Sequence, residues 1–132
     1  MAAPVVWALL LFAVRPTPDL AWPLRAPARF LLLVLVYPVL EEIVFRGALQ
    51  GAWRARPHAR HALFGLTLAN VYTSLMFTGL HFFSHPPLWA LAVMIPSLVF
   101  GYFRDRHDSL AAPIALHIFY NAGFFWIFGG SG

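Results

Sequence analysis

The stretch Tyr37-Pro38-Val39-Leu40-Glu41-Glu42-Ile43-Val44-Phe45-Arg46-Gly47 sets two adjacent carboxylates and a guanidinium inside an apolar run that extends from Phe30 to Leu49. Charge at membrane depth is costly, so ionisable groups there are usually paired or functional. On a helix, Glu42 and Arg46 lie four apart on one face, with the acid N-terminal to the base, the favourable order. Glu41 points about 100° away from Glu42 at 3.6 residues per turn. The pattern therefore pairs Glu42 with Arg46 and leaves Glu41 free. Pro38, one turn earlier, lacks an amide hydrogen and predicts a kink that releases a backbone carbonyl near the carboxylates.

Composition places this stretch in a bilayer. The chain has 132 residues, of which 61% are hydrophobic and 11% charged, with mean hydropathy +0.72. Soluble domains carry about 25% charged residues. The length predicts a single domain over residues 1–132, with the motif-bearing core in 28–128. Nine Arg and no Lys stand against five acids. The Arg sit at the ends of apolar runs, which suits membrane orientation and anionic headgroups and not nucleic acid. Absence of cysteine excludes disulfides and thiolate metal sites. All-Arg, Ala-rich usage points to a bacterial source, hence an inner (plasma) membrane.

The apolar runs predict an all-α polytopic membrane bundle with four transmembrane helices, at about 28–52, 62–83, 88–103 and 110–128. A fifth run, 2–14, is short for a span and predicts a short N-terminal apolar helix. It does not read as a cleaved signal peptide, because its start lacks positive side chains and Arg15-Pro16-Thr17-Pro18 is no small-residue cleavage site. Residues 15–27 hold four prolines and predict a loop. His58 and His61, in a basic connector, read as headgroup contacts. Arg54, Arg56, Arg60, Arg104 and Arg106 fall on one side of the predicted bundle, against Arg15, Arg25 and Arg29 on the other. The positive-inside rule then puts the 51–61 turn in the cytoplasm.

Polar residues recur within the predicted spans. Asn70, Ser74, Phe77 and His81 share one helical face, and so do Pro113, His117 and Asn121. Lipid offers such groups no partner, so the economical solution brings Glu41, Glu42, Arg46, His81, His117 and Asn121 to one cavity. Ser74 reads as a packing hydroxyl and not as a nucleophile. A buried carboxylate with a raised pKa is suited to activating water. An imidazole N–H and an amide NH₂ on one face can stabilise an oxyanion. A second chemistry stays open: zinc held by Glu41, His81 and His117 with one open position. His81 and His85 are also four apart, although Pro86 follows.

Glu41-Glu42-x-x-x-Arg46, Phe77-x-x-x-His81 and His117-x-x-x-Asn121 resemble, in order and in internal spacing, the three motifs of the CPBP family. These are the CAAX-prenyl-protease-like, or Abi, intramembrane endopeptidases. Ser109-Leu110-Ala111-Ala112-Pro113-Ile114 also resembles the approach to the last motif. The resemblance covers about residues 36–122. It implies a glutamic-type protease without cofactor, in which Glu41 is the general base and His81 helps orient and deprotonate water. His117 and Asn121 would form the oxyanion hole, with Glu42, Arg46 and Phe77 in support. The implied partners are a protein or peptide substrate at the membrane and the lipid bilayer. Many relatives have further N-terminal spans, which leaves two expectations open: one copy closes the cavity alone, or a second copy or a membrane partner completes it. Two other functions remain as alternatives: a non-catalytic immunity or scaffold protein, and a small proton-coupled transporter.

One depth mismatch accompanies these expectations. At about 1.5 Å per residue, Glu41 and His117 fall roughly 16–20 Å from one surface, whereas His81 falls only about 3–5 Å deep. Either the 62–83 span is shifted or the cavity opens on the His81 side.

Overall fold

A computed structural model describes residues 19–129; the expected N-terminal helix at 2–14 lies outside the described residues. Helix α1 (Trp22–Arg25) leads into α2, a continuous helical run over 27–54. Within α2, the segments Leu32–Val36 and Ile43–Leu49 are π-helical, and α-helical turns separate them. Pro38 explains the first departure. Tyr37 donates five residues back to Leu32 O, so the next amide in that pattern would serve Leu33 O, and position 38 has no amide hydrogen to give.

A 3₁₀ turn (Pro57–Arg60) and a hairpin follow, where the 62–83 span was expected to begin. Strand β1 (Ala62–Leu63) pairs antiparallel with β2 (Leu66–Thr67) in the register Ala62↔Thr67 and Leu63↔Leu66. The two-residue turn has Phe64 at φ 54° and Gly65 at φ 81°, the pair of left-handed residues that hairpin turns of this length require. Helix α3 is therefore Leu68–His81, 14 residues or about 21 Å long, shorter than the expected 62–83. Thr67 caps it by accepting from Asn70 N at 3.0 Å.

The short α4 (Pro87–Ala92) begins on a proline, where the missing amide costs nothing. It breaks at Val93 before α5 (Met94–His107), and α6 is Ala111–Phe128. Asp108, in the left-handed conformation, ends α5. Ser109 Oγ accepts from Ala111 N at 3.1 Å at the start of α6. Among the described residues, two segments are long and apolar enough to cross a bilayer: Pro87–His107 and Ala111–Phe128. Against the four spans expected, the hairpin shortens one and π-helical turns interrupt another.

Polarity is distributed inside out. Glu42, Arg46, Gln50, Asn70, Thr73, Ser74 and Ser97 are fully buried, while Leu31, Leu40, Val44, Leu75, Leu80 and Phe119 are exposed. Lipid-facing helices have this arrangement, because hydrocarbon solvates leucine and not amide. Helix α5 packs most extensively against α3 and α6, and its backbone carbonyls receive the buried donors. Arg46 donates to Ser97 O, Asn70 to Leu98 O and Gln50 to Gly101 O, at 2.8–3.0 Å. Gly101 permits the approach of α3: a Cβ there would meet Asn70 Oδ1 at 1.9 Å. At one end, Arg54 joins Asp105 at 3.2 Å and Asp108 at 2.7 Å, so the two Arg-rich turns lie together. At the other, Trp22 Nε1 donates to Phe125 O at 2.9 Å and pins α1 to the end of α6.

Candidate active site

Helix α2 presents Glu41 and Glu42 toward α6, and His117 sits between them. Its Nδ1 is 2.8 Å from Glu42 Oε1, and its Nε2 is 3.5 Å from Glu41 Oε2. A carboxylate only accepts, so Nδ1 carries the proton and donates it to Glu42. Glu42 is fully buried, whereas the Glu41 side chain is 36% exposed. The adjacent acids thus have unlike settings. The sequence predicts a free Glu41; the structure gives it a histidine neighbour as well as access to the cavity.

Arg46 is fully buried, 3.4 Å from Glu42, but among the described residues neither Glu42 Oε2 nor Arg46 Nε has a hydrogen-bond partner. The directed bonds of the guanidinium run instead to α5, where Nη2 donates to Ser97 Oγ at 2.7 Å and Ser97 O at 2.8 Å. Its face lies 5.1 Å from the Phe77 ring centroid, so Phe77 packs against the cation. Arg46 therefore acts on Glu42 through its field and not through an aligned fork.

His81, at the C-terminal end of α3, donates from Nδ1 to Phe77 O at 2.8 Å. That bond fixes the tautomer of the neutral ring and leaves Nε2 as an acceptor. His81, His85 and Trp89 form a ring stack, with His85 only 3.8 Å from Trp89. Burial and the neighbouring His81 hold the His85 imidazole below its ordinary range. Asn121 donates from Nδ2 to Leu33 O at 3.0 Å. This is the carbonyl that Pro38 leaves unserved, and the second N–H of the amide remains for another acceptor.

Glu41, His81, His117 and Asn121 all line one cavity of about 350 Å³, walled by aromatic rings that include Phe77, Trp89, Phe100 and Phe124. It runs from Glu41 and His117 to His81 and His85 beside the α3–α4 turn. Glu42 and Arg46 stand behind it. Among the described residues, no three His, Asp or Glu side chains are grouped as a metal ion would require. With Nδ1 committed to Glu42, a neutral His117 would present Nε2 as an acceptor. Donation to an oxyanion from Nε2 in this arrangement therefore requires the imidazolium.

Two partners are absent from the sequence reading. Ser97 had a signal, a lone hydroxyl beside Pro96 within an apolar run. Leu33 had none, because its contribution is a backbone carbonyl. The Glu42–His117 contact joins residues 75 positions apart, beyond any local spacing rule.

Residues 23–123 match the family described as type II CAAX prenyl endopeptidase, Rce1-like, and the chain belongs to that family. The family is membrane-embedded, and the two apolar helices fit that setting. No curated protein and no solved structure matches the chain.

Proposed function

We propose that the protein is an intramembrane endopeptidase of glutamic type, in which a water held in the cavity attacks a peptide bond. The observation that carries this reading is the convergence of Glu41, His81, His117 and Asn121 on one aromatic-walled cavity. Glu41 takes a proton from the water while His81 Nε2 accepts the water's other hydrogen. The resulting hydroxide adds to the scissile carbonyl. His117 Nε2–H and the second Asn121 N–H receive the oxyanion. Glu41 then returns its proton to the departing amine, so the reaction consumes one water and needs no covalent intermediate. Glu42 stabilises the His117 imidazolium, and with Arg46 the two carboxylates and two cations sum to zero charge. No cofactor enters this scheme.

On this reading 27–54 and Leu68–His81 also cross or enter the bilayer, giving four spans in a bacterial plasma membrane. The Arg-rich turns then face the cytoplasm. The substrate would be a membrane protein, cut near its C-terminal tail, and a second copy or another membrane protein could complete the walls. The test compares membranes containing wild type with membranes containing Glu41→Gln or His81→Ala, by mass spectrometry of membrane-protein C-terminal peptides. We expect peptides that appear with wild type and vanish with both folded variants. Identical peptide sets would favour a non-catalytic scaffold. Cleavage that survives exhaustive chelation is expected, and loss restored by added zinc would replace Glu41-activated water with metal chemistry.

A further inference from the structure

We propose that Ser97 is a positioning residue of this site, acting through Arg46 and Glu42 on the His117 imidazole. The inference rests on reading His117 and Glu41 as reacting groups. Ser97 is fully buried on α5. Both its hydroxyl and its carbonyl accept from the same nitrogen, Nη2 of Arg46. Among the described residues, Nε and Nη1 of that guanidinium have no hydrogen-bond partner, so Ser97 fixes where the cation sits.

That placement decides what Glu42 can do. The carboxylate stands 3.4 Å from Arg46 Nε, and Oε2 is itself without a hydrogen-bond partner. An arginine fork and a carboxylate pair readily through two parallel bonds when nothing else orients them. Ser97 opposes this closure by holding Nη2 on the α5 side. Glu42 is thereby left turned toward His117, with Oε1 at 2.8 Å from Nδ1. Removing the hydroxyl leaves Nη2 a single acceptor, the Ser97 carbonyl, and frees the fork to close on Glu42. The carboxylate is drawn off Nδ1–H, and His117 loses the bond that holds its ring plane and directs Nε2 toward Glu41. Ser97 thus links α5 to a chain of contacts across α2 and α6, without itself lining the cavity.

The test uses full-length protein in micelles, with ¹⁵N-labelled histidine and the His117 ring signals assigned by their loss in His117→Gln. Ser97→Ala should shift the His117 ring nitrogens, and Ser97→Thr should restore them. Ser74→Ala removes another fully buried hydroxyl, one that donates to Asn70 Oδ1 at 3.1 Å; it should leave the His117 signals in place. For Glu41-dependent cleavage, Ser97→Ala should lower kcat roughly 10–100-fold, the scale of a small misplacement of reacting groups, with KM within about twofold. An unmoved His117 signal in Ser97→Ala overturns the inference, as does an equal shift in Ser74→Ala or a failure of threonine to restore it. If Glu41→Gln still cleaves, the catalytic reading fails. If Glu41→Gln is inactive and Ser97→Ala has wild-type kcat, only the role of Ser97 fails.

Discussion

The same side-chain chemistry occurs twice in this bundle, in two solvents. At the Arg-rich end, Arg54 and Arg104 both donate to Asp108 Oδ1 at 2.7 Å, and Asp105 also accepts from Thr67 Oγ1 at 2.6 Å and Gln50 Nε2 at 2.9 Å. Inside, Arg46 and Glu42 are fully buried, 3.4 Å apart, and keep atoms without hydrogen-bond partners among the described residues. The outer clasp is aligned, redundant and open to water. The inner group is neither aligned with its own partner nor redundant, and its carboxylate points at a histidine instead. Water and salt soften the outer charges, whereas nothing softens the inner ones. The outer cluster can therefore lose a member cheaply, and the inner cluster cannot.

Glu42→Ala should give the largest effect. It leaves Arg46 buried without its counter-charge, a loss of roughly 3–5 kcal/mol for breaking a buried pair, read as a lowered unfolding midpoint in detergent. A loss similar to that of a surface pair would erase the contrast. Gly101→Ala tests the seam between the two clusters. Its Cβ would sit 1.9 Å from Asn70 Oδ1, against backbone that also accepts from Gln50. Overpacking there should cost about 1–3 kcal/mol, with α3 pushed off α5. An unchanged midpoint would mean that the contact yields without strain.

Arg54→Ala should cost within about 1 kcal/mol, because Arg104 still holds Asp108 and Gln50 and Thr67 still hold Asp105. High salt should reduce even that difference between wild type and variant. The smallest effect is in acid. Hydrogen bonds from Arg54 and then Arg104 push the Asp108 carboxyl down from 3.8 to about 2. A depressed folded pKa contributes stability that is present above the unfolded value and lost as pH falls through the folded one. The wild-type midpoint should therefore decline between about pH 4 and pH 2 by slightly more than that of Asp108→Asn. Parallel profiles would remove Asp108 from the clasp.

The contrast also explains what was legible in the sequence. Composition and the polar faces of α3 and α6 point to a helical membrane bundle, because those signals are local and periodic. Glu41 beside Glu42, with Arg46 one turn on, announces one sheltered and one open carboxylate. The hairpin at 62–67 was hidden because Ala62, Leu63, Phe64 and Leu66 are as apolar as the helix they precede. The π-helical turns of α2 were hidden because hydrophobicity does not report which carbonyl each amide chooses. Glu42–His117 and Arg46–Ser97 are products of packing between distant helices, and no spacing within one segment encodes them.

Pro38 carries one more consequence. The missing hydrogen at residue 38 leaves Leu33 with a vacant lone pair, and Asn121 has become its tenant. A substitution such as Pro38→Ala would return a second donor inside the same helix and make the amide share its acceptor, without touching α6. The freedom of a third-motif side chain to swivel is thus governed by an imino acid on another helix, 83 positions upstream by subtraction of the residue numbers. A change made to straighten the helix would at the same time loosen the far wall of the cavity.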